Sequence, residues 1–331
     1  MSEPLLSVQD LHVHFRGRRN VARAVEGVSY EVREGETVCI VGESGCGKTV
    51  SALSILGILP VPPAEIPEGR ILFQGKDLLR MDPETLRGIR GNRLSMVFQE
   101  PMTSLNPVFK IGDQLREAVL AHRPMEEKAL EERCVSLLRD VGISSSAERL
   151  QDYPHQLSGG QRQRVMIAMA LACDPALVIA DEPTTALDVT IQVQILNLFR
   201  DLQREKGLSL LYITHDLGVV AQIADRIYVM YAGIIAEQGT ARQIFHEPRH
   251  PYTMGLLASL PSRMRRGASL HNVPGAVPDP AQKPPGCPFH PRCPAAEASC
   301  TRGLPGLCDW GEDHLARCPV TCADPDKEVW P

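Results

Sequence analysis

The chain has 331 residues, 43% of them apolar, with a formal net charge of −5 and a pI near 6.1. That length holds one large domain with an appendage, or two domains, around a sizeable core. The acidic balance and the lack of a long basic tail give no footing for non-specific nucleic-acid binding, so no nucleic-acid partner is expected.

The opening "MSEPLLSVQDLHVHF" carries Glu3 and Asp10 and no basic run before an apolar one, so it does not read as a secretory signal. With "ARAVEGVSYEVREGETVCIVG" it alternates apolar and polar residues, the pattern of short antiparallel strands at an edge. The apolar run "TVCIV" (37–41) ends at a glycine, and an apolar helical pattern follows from Lys48. The most apolar segment, "VSALSILGILPV", is too short to span a bilayer and contains Pro60. A soluble, cytoplasmic protein that meets a membrane only through a partner is expected. Between about 76 and 175 the character is helical and charged, as in "EEKALEERCVSLLRDVGI". Two buried-strand candidates follow, "ALVIAD" and "LSLLYITHD", separated by the helical "TIQVQILNLFRDLQREKG". Strands alternating with helices predict an α/β fold with a parallel sheet. The expected organisation is a catalytic domain over 1–253 with a helical subdomain at about 93–172. A Pro/Gly-rich linker (254–286) and a cysteine-bearing module (287–331) complete the chain.

"GESGCGKT" (42–49) fits G-x-x-x-x-G-K-[ST] between an apolar strand and a helix. Gly42, Gly45 and Gly47 let the backbone, with Glu43, Ser44, Cys46 and Val50, aim N–H groups at phosphate oxygens beside a helix N-terminus. Lys48 is expected on the β/γ-phosphates and the Thr49 hydroxyl on Mg²⁺, so ATP or GTP binds here. "LVIADEP" (177–183) ends a strand in two carboxylates. Asp181 is placed for Mg²⁺ and Glu182 for polarising an attacking water. Alone, such a strand end is often a solvated turn; a phosphate loop upstream reverses that. "LSGGQ" (157–161) reads as a second anion-binding helix start without its own lysine, capped by Ser158, with Gly159, Gly160 and Gln161 behind it. This half-site is expected to close over another subunit's nucleotide. His215 and Gln99 each follow an apolar strand; Gln99 could ligate Mg²⁺ or touch water, though either residue is commonly structural.

Taken in this order, the residues resemble the ATP-binding-cassette (ABC) ATPases over 5–253. Walker A lies at 42–49, the Q-loop at Gln99, the signature at 157–161, Walker B at 177–182, the D-loop "ALD" at 186–188 and the H-loop at His215. The resemblance implies two cassettes paired head to tail, each ATP held between one Walker A and the partner's signature. It makes Phe15 the aromatic that stacks on adenine. Cys46 stands where the family usually has serine; no loss of ATP binding is expected, because the loop acts there through its backbone. The alternative for Cys46 is a redox-sensitive thiol. "EPMTSLNP" (100–107), "MYAGIIAEQGT" (230–240) and "RHPYTMGLLASLP" (249–261) resemble the ATPases of dipeptide and oligopeptide importers, closest to the D-type of dipeptide permeases. That family implies a peripheral protein on the cytoplasmic face of the membrane. It also implies a second, homologous ATPase as heterodimer partner, two transmembrane permease subunits and an extracytoplasmic peptide-binding protein. Nickel and glutathione importers have related ATPases. A soluble ABC mechanoenzyme or a non-catalytic cassette is disfavoured, the first by the single cassette, the second by the full set of motifs.

Six of the ten cysteines fall in the last 45 residues, four in the frame Cys287-x5-Cys293-x6-Cys300-x17-Cys318. Structural zinc sites bring ligands in tighter pairs, disulfides suit a cytoplasmic setting poorly, and iron–sulfur clusters accept irregular spacing. Spacing alone leaves cluster, zinc and unliganded thiols open. The peptide-importer ATPases share this frame, some with a [4Fe–4S] cluster, which makes a cluster the expectation and zinc the alternative. Cys308 and Cys322 stand outside the frame as non-ligands, Cys322 being a possible substitute for Cys318. A structural tie for a tail without an evident core is favoured over a redox regulator.

Overall fold

The computed structural model describes residues 3–18, 20–99, 104–185, 187–260, 272–325 and 329–330. Outside them lie residues 100–103 of the stretch after Gln99, Ala186 of the D-loop and residues 261–271 of the linker.

The strands are β1 (Leu6–Arg16), β2 (Val21–Val32), β3 (Thr37–Val41), β4 (Ala64–Glu65), β5 (Arg70–Phe73), β6 (Lys76–Asp77) and β7 (Leu94–Val97). They continue as β8 (Leu177–Asp181), β9 (Ser209–Thr214), β10 (Arg226–Tyr231), β11 (Ile234–Thr240), β12 (Cys308–Asp309) and β13 (Leu315–Ala316). The helices begin with α1 (Lys48–Leu56), α2 (Pro83–Ile89), α3 (Ile111–Leu120), α4 (Glu127–Asp140), α5 (Ser146–Arg149) and α6 (Gly159–Ala170). After them come α7 (Val189–Lys206), α8 (Leu217–Ile223), α9 (Ala241–His246), α10 (Pro251–Ala258) and α11 (Pro319–Ala323). The chain divides into two compact units: Met1–Val32, Thr37–Leu79 and Ile213–Pro331 form the first, Arg33–Glu36 and Arg80–Tyr212 the second.

In the first unit, β1 pairs antiparallel with β2 from Leu6↔Val32 to Arg16↔Val21, and with β5 on its other edge. The alternation read from the sequence buries Leu6, Leu11, Val13, Val25 and Val28. β3 runs parallel to β10, which turns through Ala232 and Gly233, both at positive φ, into antiparallel β11. That two-residue turn matches the twist of the strands it joins.

The tail joins the same unit. β13 adds to β11, and β12 to β13. His314 meets Glu237 of β11 at 2.8 Å with both buried, and Glu237 also accepts the N–H groups of Arg249 and His250. Two expectations change here. Cys308 and Cys322 form a disulfide, with Cα atoms 6.2 Å apart, inside bridging range; Cys322 is thus no substitute for Cys318. The tail is also not coreless. Phe289, Ala316, Val320 and Val329 are buried, and Phe289 packs against Tyr231, Tyr252 and His250.

In the second unit, β7 and β8 are parallel and β9 lies beside β8. All five residues of β8 are buried, as a near-continuous apolar run requires of an interior parallel strand. α7 starts where Asp188 accepts the Ile191 N–H and stops at Gly207, whose φ of 64° ends the helix without a Cβ penalty. α3 to α6 fall in the interval expected to be helical, which also holds β7.

Candidate functional site

The phosphate loop leaves β3 and enters α1. A Cβ on Gly42 would stand 2.1 Å from the Met230 carbonyl oxygen, and one on Gly47 (φ +104°) 2.5 Å from that of Ala24. Only glycine fits at either position. The loop is tied by the Gly233 N–H to the Cys46 carbonyl (2.8 Å) and by Lys48, whose Nζ donates to the carbonyls of Gly42 (2.7 Å) and Glu43 (3.0 Å). Lys48 is only 5% exposed. Its ammonium is held over the loop, and α1 opens at Gly47, which brings no side chain to the first N–H groups. Such a helix start favours an anion. Ser44, Gly45 and Thr49 are exposed and Val50 is half-buried.

Burial pushes the Cys46 thiol above its ordinary pKa, although Lys48 beside it acts the other way. A buried thiol of raised pKa is not an activated one, which weighs against the redox alternative. Phe15, half-buried in β1, pairs with Ala22 on one side and Ala64 on the other.

Sequence reasoning missed two groups that hold this loop. The Glu43 N–H donates to the Tyr252 hydroxyl at 2.9 Å, and the Glu43 carboxylate takes both arms of the Arg292 guanidinium at 2.6 and 3.0 Å. Tyr252 lies in the quoted stretch 249–261, but nothing there points to the phosphate loop, and both residues arrive from the C-terminal third of the chain.

His215 follows β9 and is exposed. The next residue, Asp216, caps α8 by accepting the N–H groups of Gly218 (2.7 Å) and Val219 (3.3 Å). Its own N–H donates to the Thr214 hydroxyl. The imidazole therefore stands on a corner fixed on both sides.

In the second unit the end of β8 presents the two acids. Asp181 is 3% exposed, while Glu182 is half-buried at a φ of 46°. A non-glycine residue there is strained, a cost that persists where function needs the geometry. Gln99 donates to Glu182 Oε2 at 3.3 Å, so the structure brings these two predicted residues together. The Thr185 hydroxyl donates to the same oxygen at 2.9 Å, a partner the sequence did not announce.

The signature forms a full capping box. Ser158 Oγ accepts the Gln161 N–H (3.3 Å), and Gln161 Oε1 accepts the Ser158 N–H (2.9 Å). Gly160 is buried, and a Cβ there would lie 2.7 Å from Ile191 Cγ2 of α7. Gly159 is exposed, with no atom closer than 3.9 Å. The two glycines thus serve different ends: one admits α7, the other leaves an open face.

In the tail, Cys287, Cys300 and Cys318 are buried and Cys293 half-buried. The Cys287 N–H donates to the Cys300 carbonyl at 2.8 Å. Burial pushes Cys287 up to about 11, with Cys300 and Cys318 adding to the rise. It pushes Cys293 up to about 12, with the other three cysteines adding to it. Among the described residues no helix is long and apolar enough to cross a membrane.

The ABC transporter family profile matches residues 25–185, and the profile for the oligopeptide/dipeptide transporter C-terminal region matches 236–300. The dipeptide transport ATP-binding protein DppD of Bacillus subtilis is 54% identical over 316 residues, 96% of this chain and 94% of that protein. A putative peptide import ATP-binding protein of Brucella ovis is 50% identical over 96% of this chain and 97% of its own. Among solved structures, the dimeric MJ0796 ABC transporter cassette superposes with a TM-score of 0.64 at 27% identity, over 72% of this chain and 99% of that one. The same cassette is known as a dimer in a post-hydrolysis state with ADP and Pi. A full-length match at this identity, carrying both the cassette and the C-terminal region, places the chain in the ABC transporter ATPase family, among the oligopeptide/dipeptide-type ATP-binding proteins.

Proposed function

We propose that this chain hydrolyses ATP to drive import of dipeptides or oligopeptides across the cytoplasmic membrane. It would work on the cytoplasmic face, paired with a second, homologous ATPase beneath two permease subunits that an extracytoplasmic binding protein supplies. The observation that carries this reading is the end-to-end similarity to peptide-import ATP-binding proteins, C-terminal region included.

Within that reading, the loop 42–49 holds the triphosphate through Lys48 and backbone N–H groups other than that of Glu43, which the Tyr252 hydroxyl takes, and Phe15 stacks on adenine. Mg²⁺, when bound, neutralises phosphate charge; Thr49, Asp181 and Gln99 are the residues to hold it. Glu182 orients and polarises the attacking water, its carboxylate aimed by Thr185 and Gln99. His215, exposed on its capped corner, is the further catalytic residue of this reading. Ser158, Gly159, Gly160 and Gln161 serve the partner's nucleotide, a role supported by the exposed capping box and the open space at Gly159. Phe98, Val108 and Phe109 are 41%, 72% and 53% exposed on either side of the stretch assigned to a membrane subunit. Three large apolar side chains left in solvent beside that stretch support a docking role.

The donor set of Cys287, Cys293, Cys300 and Cys318 fits a [4Fe–4S] cluster. Burial raises the Cys287 and Cys293 thiols, with neighbouring cysteines adding to the rise, so a cation would be needed to hold them as thiolates. Around zinc they would lie about 3.8 Å apart, from Zn–S bonds of about 2.3 Å. Among the described residues the only group of three or more His/Cys/Asp/Glu with ligand atoms all within 4.8 Å of one another is Asp10, His12 and Glu68; no three of the tail thiols gather that closely. When bound, the cluster supplies a structural tie.

The test is uptake in cells lacking the gene, complemented with the parent or with Glu182→Gln. Labelled dipeptide uptake restored only by the parent is expected. Restored nickel or glutathione uptake with no peptide uptake would move the assignment to a related importer.

A further inference from the structure

We infer that Arg292, in the cysteine-bearing tail, is a positioning residue for the ATP site. It neutralises Glu43 within the phosphate loop, so that docking of the tail sets nucleotide affinity. This rests on reading 42–49 as the ATP phosphate loop.

The loop carries a carboxylate where a polyanion must bind, and uncompensated it would repel the nucleotide. Arg292 answers that charge. Nη1 donates to Glu43 Oε2 at 2.6 Å and Nη2 to Oε1 at 3.0 Å, a two-armed pairing that fixes orientation as well as charge. The remaining donors are also taken: Nε by the Pro274 carbonyl (2.6 Å), Nη2 by that of Val273 (3.1 Å) and Nη1 by the Tyr231 hydroxyl (3.3 Å). All five guanidinium N–H groups therefore have acceptors, and the side chain is 7% exposed. Glu43 is held at three points, its carboxylate by Arg292, its N–H by Tyr252 and its carbonyl by Lys48.

Arg292 in turn depends on the fold of the tail. It ends the 3-10 turn His290–Arg292, its N–H donates to the Phe289 carbonyl at 2.9 Å, and the next residue is Cys293. Phe289 anchors that turn among Tyr231 and Tyr252, the same two tyrosines that touch Arg292 and Glu43. Whatever orders or disorders the turn reaches the phosphate loop directly through Arg292 and, by way of Phe289, through Tyr252.

The test is equilibrium binding of a fluorescent ATP analogue with Mg²⁺ to the purified full chain. Arg292→Gln is expected to bind about tenfold more weakly, the order of effect that one unit charge exerts over about 10 Å at an effective dielectric of about 20. Arg292→Lys, which keeps the charge, should stay within about threefold of the parent. The pair Arg292→Gln/Glu43→Gln should recover to within about twofold, since the repelling charge is gone. Raising ionic strength should shrink the Arg292→Gln defect. Parental affinity in Arg292→Gln, or a double variant as weak as the single, would overturn the inference. Should Arg292→Gln fail to fold, Glu43→Gln alone decides: with the carboxylate gone and the Arg292 charge left it is expected to bind several-fold more tightly than the parent, and unchanged or weaker binding would overturn the inference. A parent chain that binds no ATP analogue would instead refute the phosphate-loop reading.

Discussion

Replacing Phe289 by alanine should undock the tail from the cassette, and the chain carries its own reporter for that event. Phe289 is 1% exposed, and its ring centroid lies 5.2 Å from that of Tyr231, 5.3 Å from Tyr252 and 5.9 Å from His250. Truncating a buried phenylalanine costs about 3–5 kcal/mol in lost transfer energy and cavity formation, a large share of a typical total stability of about 5–15 kcal/mol. The two tryptophans, Trp310 and Trp330, are both in the tail. Trp310 lies under Arg249 at 4.3 Å, and Trp330 Nε1 donates to the Pro251 carbonyl at 2.7 Å. Tryptophan fluorescence therefore reports docking of the tail, while far-ultraviolet dichroism reports the helices, most of which belong to the rest of the chain. With about 4 kcal/mol lost and a urea slope of about 2.5 kcal/mol per molar, the fluorescence midpoint should fall by about 1.6 M. Phe289→Leu, which refills most of the volume, should lose less than half of that. A fluorescence midpoint for Phe289→Ala within 0.2 M (about the scatter of such fits) of the parent would refute the packing argument.

The two signature glycines should respond differently to alanine. Gly160→Ala drives a methyl into Ile191 and should cost about 1–3 kcal/mol in thermal or urea unfolding; Gly159→Ala has room within the chain and should leave stability unchanged while lowering turnover of the assembled transporter. Acid should weaken the fold through His250. An unfolded imidazole titrates near 6.5, whereas burial, then the charge of Arg317, depresses folded His250 to about 3. The folded state binds fewer protons across that interval, so this contribution is complete above pH 6.5 and is lost as pH falls towards 3. Unfolding free energy followed from pH 7 to pH 4 should drop, and His250→Asn, which keeps an acceptor for the Tyr252 N–H, should flatten the slope; an unchanged slope would remove His250 as its source.

The ATP-binding elements were legible because their chemistry is local. A strand, a glycine turn and a helix start within about a dozen residues leave a pattern that no distant partner has to complete, and "TVCIVGESGCGKT" folds as read. Ser158 likewise caps its helix as a serine before two glycines should. The strain at Glu182 and its tie to Thr185 were invisible, since nothing in "ADEPTT" encodes a positive φ. The tail was legible least. β13 is two residues long, too short for any periodicity, and its register depends on Glu237, buried many residues upstream and paired with His314. The Cys308–Cys322 bridge opposed an expectation built on compartment, and Phe289 finds partners in two tyrosines that precede the linker. Contacts set by long-range packing leave no mark in a local window.

The central claim, ATP hydrolysis at this cassette with Glu182 as the residue that activates water, is tested most directly by one pair of assays on Glu182→Gln. ATP binding at parental affinity, with turnover reduced by at least about a hundredfold, is the predicted result, in line with removal of a general base. Turnover close to that of the parent, with binding intact, would contradict the account.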